Sequence, residues 1–92
     1  MLYFAQLSFI IGFMEKAYLN QNIFGRRLAE EMKRRNITNQ ELADAIYVSV
    51  SAISGYRTGR RVPSMDHVVR ICKTISVSSD YLLGITENAK IG

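Results

Sequence analysis

The sequence predicts an all-α domain. The apolar residues recur at helical rather than alternating spacing: Phe24, Leu28 and Met32 fall at i, i+4 and i+8, and Val68, Ile71, Cys72 and Ile75 share one helical face. Hydroxyl residues that suit helix starts open the later helical segments at Thr38, Ser49, Ser64 and Ser78 or Ser79. No convincing long strand interrupts the series. With 92 residues the chain is long enough for one small core and little more.

Taken in order, residues 1–14 carry no charge. Tyr3, Phe4, Leu7, Ile10, Ile11, Met14, Ala17 and Tyr18 fall on one helical face, while Phe9 and Phe13 make the opposite face apolar as well. Phe9-Ile10-Ile11 also fits a strand. The uncharged run falls short of the ~20 residues a membrane span needs, and no basic residue precedes it as in a secretory signal. A surface of this kind is expected to pack on protein, by self-association or by folding back over the domain. A third alternative is that the natural start is Met14 and the residues before it are extraneous. The expected organisation is an apolar segment over 1–22, a helical domain over 23–86 and a tail over 87–92.

Asn20-Gln21-Asn22 is a polar break before a first helix from Ile23 to Arg35, with Asn36 as its stop. Thr38-x-x-Glu41 is a capping box, in which each side chain satisfies a free amide of the other residue. Leu42, Ala43 and Ile46 form the buried face of this second helix. A third runs from Val50 to Tyr56, with Ala52, Ile53 and Tyr56 inward, and Thr58-Gly59 breaks it. Arg60-Arg61-Val62-Pro63 is a loop before the fourth helix. The last is Asp80-Tyr81-Leu82-Leu83, closed by Gly84 in a left-handed conformation.

Composition excludes several functions. The chain has one cysteine, Cys72, and one histidine, His67. A disulfide framework, a cysteine-based zinc site and a multi-histidine metal site are therefore ruled out. No nucleophile elbow or glycine-rich phosphate loop is present, so no enzymatic chemistry or cofactor is implied. Cys72 reads as core, in a reducing cytosol, and His67 as a surface residue.

The net charge is +4 and the pI about 9.5. The surplus lies between positions 26 and 61. There Arg26, Arg27, Lys33, Arg34, Arg35, Arg57, Arg60 and Arg61 face only Glu30, Glu31, Glu41 and Asp44. A basic middle on a small domain points to a polyanionic partner. The Arg26-Arg27 and Lys33-Arg34-Arg35 clusters also fit ion pairs on a wet helix face, with Arg26 or Arg27 able to reach a DNA backbone.

Two short helices joined by a tight turn make a helix-turn-helix outline. The spacing adds detail. Ile53 follows Leu42-Ala43 by ten residues, and Gly59 follows six later. Pro63 and Val77-Ser78-x-Asp80-Tyr81-Leu82-Leu83-Gly84 complete the set. Over about 23–86 the chain resembles the phage-repressor, or xenobiotic-response-element (XRE, Cro-like), family of helix-turn-helix regulators. Thr38-x-x-Glu41-Leu42-Ala43 is similar to its first motif helix, and Val48-Ser49-x-Ser51-x-Ile53-Ser54 to its recognition helix.

The resemblance implies a five-helix DNA-binding domain, usually dimeric, that docks one helix in the major groove of double-stranded DNA. Ser49, Val50, Ser51, Ser54 and Gly55 would then face base edges. A serine hydroxyl discriminates bases weakly and Val50 suits a thymine methyl. Direct readout is therefore expected to be modest and shape readout larger. Thr38, Asn39, Arg57, Thr58, Arg60 and Arg61 would meet phosphates. Leu7, Ile10, Ile11, Met14, Leu83 and Ile85 are the candidates for dimerisation.

Two departures from the family pattern stand out. Tyr47 occupies a turn position where the family commonly has glycine, so the turn is either strained by about 1 kcal/mol or built differently. Met32 and Arg57 replace a common Arg–Glu pair. Arg57 is then free to reach a phosphate or the minor groove, or else to cover Tyr56 or Met32 with its stem.

The function expected is that of a cytoplasmic, nucleoid-associated transcription regulator, a homodimeric repressor without cofactor. The alternative is an antitoxin-like protein-interaction module that has lost DNA reading and docks a partner through its N-terminal segment. Association with a membrane surface through residues 1–14 is the lesser rival.

Overall fold

A computed structural model describes residues 22–91, which form five helices and no strand. They are α1 (Ile23–Arg34), α2 (Asn39–Ile46), α3 (Val50–Thr58), α4 (Met65–Ile75) and α5 (Ser79–Leu82). Helix α1 packs on α3 and α5, α2 on α3 and α4, and α4 on α5. Leu28, Met32, Leu42, Ile46, Ile53, Ile71, Ile75, Val77 and Leu82 fill the shared core.

The helix starts follow the local chemistry. Asn22 caps α1, its Oδ1 accepting from the Gly25 N–H at 3.2 Å. At α2 the capping box is closed: Thr38 Oγ1 accepts from the Glu41 N–H at 3.1 Å, and Glu41 Oε1 accepts from the Thr38 N–H at 3.0 Å. Ser49 and Ser64 cap α3 and α4 in the same way, from the N–H groups of Ala52 and His67. Ser78 precedes α5 without a side-chain cap. Helix α3 runs two residues past the expected Tyr56, to Thr58, and Gly59 ends it at φ 82°. Tyr47 ends α2 at φ 61°, so the turn keeps its left-handed form without glycine.

Arg27 binds the C-terminal end of the domain rather than facing outward. Its Nη1 donates to the carbonyls of Tyr81 and Thr86, its Nη2 pairs with Glu87 at 3.2 Å, and its guanidinium lies 4.3 Å from the centre of the Tyr81 ring. Within the segment expected as a tail, Ala89 also packs on the core, and its carbonyl accepts from the Ser78 N–H at 2.9 Å. Among the described residues Glu31 is the buried charged one, and it pairs with Arg34 and Arg35. His67 is half-buried rather than free on the surface. Its Nδ1 lies 2.7 Å from the Tyr56 hydroxyl, a hydrogen bond that joins α4 to α3.

Candidate nucleic-acid interface

The outward arc of α3 consists of small side chains. Ser49, Val50, Ser51 and Thr58 are exposed and Ser54 is half-buried. Ala52, Ile53 and Tyr56 anchor the opposite side in the core. The hydroxyls on this arc are already partly committed. Ser49 Oγ caps the helix. Thr58 Oγ1 donates to the Ser54 carbonyl at 3.0 Å and accepts from Arg60 Nε at 3.1 Å. Arg60 Nη2 reaches Ser54 Oγ at 3.5 Å. Arg60 thus folds back over the outer face of α3, bringing a cation onto the surface that the small residues leave open.

Gly55 does not take the base-facing position expected of it. It is buried, and the Arg61 stem covers it: a Cβ on Gly55 would meet Arg61 Cγ at 2.8 Å and Cδ at 2.9 Å. The Arg61 N–H also donates to the Gly55 carbonyl at 3.1 Å. The loop after α3 folds onto that flank of the helix and removes Gly55 from any external surface. The Arg61 guanidinium itself is exposed and has no hydrogen bond or ion pair among the described residues.

At the start of α2, Thr38 is exposed and Asn39 half-buried. The Glu41 carboxyl is held below its ordinary value by the hydrogen bonds it receives from the Thr38 backbone and side chain. Arg57 neither projects freely into solvent nor simply lies along Tyr56. Its Nη1 donates to Asn39 Oδ1 at 2.5 Å, linking the end of α3 to the first residue of α2. With Met32, Lys33, Ile37 and Thr38 it also lines an open hollow of about 640 Å³. Besides capping α1, Asn22 donates through Nδ2 to the Arg57 carbonyl at 3.0 Å, tying the start of α1 to the end of α3. No local spacing rule signals either contact.

Side-chain contacts join Arg57 to Asn39 and, separately, Arg60 to Thr58 and Ser54, while Thr38 stands at the start of α2 and Arg61 on the flank of α3. Tyr47, 87% exposed, and Val50 add apolar surface to the α2–α3 region. Leu83 is half-buried against the core and Ile85 is 72% exposed. Leu7, Ile10, Ile11 and Met14 lie outside the described residues. Among those described, no helix is long and apolar enough to cross a membrane, and no group of three or more metal-ligating side chains occurs.

An uncharacterized HTH-type transcriptional regulator of Bacillus subtilis (strain 168), YobD, is 30% identical over 66 residues, covering 72% of this chain and 59% of that protein. The cryptic phage CTXphi transcriptional repressor RstR of Vibrio cholerae is 34% identical over 58 residues, 63% of this chain and 52% of its own length. The HTH-type transcriptional activator BcrR of Enterococcus faecalis is 37% identical over 60 residues, 65% of this chain and 29% of its own length. The chain thus spans less than two thirds of the length of each of these relatives. No solved structure matches. A family model described as helix-turn-helix matches residues 28–82, which include α2, the left-handed turn and α3. The chain belongs to the XRE-type helix-turn-helix family.

Proposed function

We propose that this chain is a non-enzymatic, sequence-specific double-stranded DNA-binding transcription regulator that acts as a homodimer in the cytoplasm, on the nucleoid. The observation that carries the proposal is the outer face of α3. It is lined by Ser49, Val50, Ser51 and Ser54 and bordered by Arg60, Arg61 and the capped start of α2. Such a face can enter the major groove while the flanking groups hold phosphates. Two copies would place their α3 helices about 34–36 Å apart on a palindromic operator, and occupancy there would exclude polymerase. Repression is the direction favoured by the resemblance to phage repressors, although a relative named as an activator is among the matches.

Val50 and the exposed Tyr47 favour a second reading, a protein-interaction surface in place of a base-reading one. Selection from a pool of random duplexes, followed by sequencing of the bound fraction, separates the two. A DNA regulator enriches a palindrome with half-sites one helical turn apart. A pool recovered without enrichment favours the interaction module.

A further inference from the structure

Arg57 sits at the C-terminal end of α3, yet its side chain ends at the first residue of α2. Its Nη1 donates to Asn39 Oδ1. A guanidinium has five donors and no acceptor, so only the oxygen of the Asn39 amide can face it. The amide N–H2 group is thereby turned to the opposite side, where it has no hydrogen-bond partner among the described residues. Left alone, the terminal torsion of an asparagine is broad and nearly two-fold. A free Asn39 would present its carbonyl oxygen outward about as readily as its N–H2, and an outward oxygen repels a phosphate. The Arg57 main chain is itself held by Asn22 Nδ2 at 3.0 Å. Asn39 lies beside the Thr38 cap, where the first amides of α2 lack intrahelical partners.

We infer that Arg57 is a positioning residue, which fixes the Asn39 amide with its N–H2 group toward a DNA phosphate at the start of α2. The inference rests on the proposed DNA-binding function and deepens it. The Met32/Arg57 combination then has a definite consequence. Met32 lies in the core and Arg57 forms no ion pair among the described residues, so its guanidinium is available to orient Asn39.

The test is a double-mutant cycle on the full chain, with binding measured to the duplex that the wild type enriches from a random pool. Asn39→Ala and Arg57→Met should each weaken binding about ten-fold per half-site. The double variant should be no weaker than either single variant, because Arg57 acts only through Asn39. Asn39→Asp keeps the acceptor for Arg57 and leaves the fold intact, but it presents an oxygen where the N–H2 stood. Its loss should exceed that of Asn39→Ala by a further ten-fold. Thermal midpoints of all four variants report folding independently.

The failures are distinguishable. If wild-type protein binds and Asn39→Ala binds as well, Asn39 holds no phosphate and Arg57 has nothing to position. If Arg57→Met weakens the Asn39→Ala protein as much as the wild type, and lowers its salt slope by about one, Arg57 meets phosphate itself and the positioning role is overturned. A loss with Asn39→Asp no larger than with Asn39→Ala overturns the assigned orientation even if Arg57→Met does not fold.

Discussion

Gly25 of α1 lies directly against the Arg57 carbonyl of α3: a Cβ added to Gly25 would sit 2.5 Å from that oxygen and 2.6 Å from the carbonyl oxygen of Tyr56. Both are backbone atoms, which cannot swing aside as a side chain can. This close approach lets Asn22 reach the end of α3 and hold it. Gly25→Ala is expected to destabilise the domain by about 1–3 kcal/mol through overpacking, and to weaken DNA binding beyond what stability explains, because α3 must shift. Urea denaturation and a binding titration measure the two effects. An unchanged unfolding midpoint would show that α1 and α3 part freely.

Tyr47 stores strain that glycine would relieve. Its φ of 61° is left-handed, it is 87% exposed, and its ring fills no core space. Tyr47→Gly should therefore raise stability by about 1 kcal/mol, since the left-handed conformation is unfavourable for a residue with a Cβ and open to glycine. A chemical denaturation midpoint lower than wild type would show that the tyrosine ring contributes more than its backbone loses.

Glu31 makes the domain sensitive to acid. Burial pushes its carboxyl up, but the hydrogen bonds and positive charges of Arg34 and Arg35 outweigh burial and hold it below the ordinary value of 4.5. A depressed carboxylate contributes stability that is present above its unfolded value and lost as pH falls through the folded one. The thermal midpoint should fall on acidification below about pH 5. Glu31→Gln should start lower at neutral pH and show a shallower acid slope, with Glu41 retaining part of the dependence in the same direction. An acid slope as steep as wild type would shift the sensitivity to other carboxylates.

The parts of this architecture that are legible in the sequence are local. The capping box joins Thr38 and Glu41, three positions apart, and the caps at Ser49 and Ser64 have the same separation. The contacts that elude sequence reasoning bridge distant positions. Asn22 and Arg57 are 35 residues apart, Arg57 and Asn39 are 18, and Arg27 and Thr86 are 59. No periodicity or spacing rule signals them. Gly55 shows the same limit within the site. Helical spacing places it beside Ser51, near the outward face, but the loop carrying Arg61 folds over it. His67 looks like a lone polar residue in sequence, and only the packing of α4 on Tyr56 gives it a partner.

Arg60 and Arg61 flank α3 differently, and both are expected to meet phosphate. Arg60 rests on Thr58 and Ser54, while the Arg61 guanidinium is unpaired among the described residues. Replacing both by alanine is expected to weaken binding to all duplexes alike and to reduce the magnitude of the log–log salt slope by about two per protomer. Equal affinity and slope in the double variant, measured by fluorescence anisotropy, would remove both from the phosphate-binding set.

The most direct test of the central claim is the salt dependence of wild-type binding to its selected duplex. A dimer holding about eight phosphates should give a log–log slope near −7, with affinity falling steeply from low to physiological salt. The same slope should be found on unselected DNA, at lower affinity. A protein that shows no duplex binding at low salt would contradict the DNA-binding function itself.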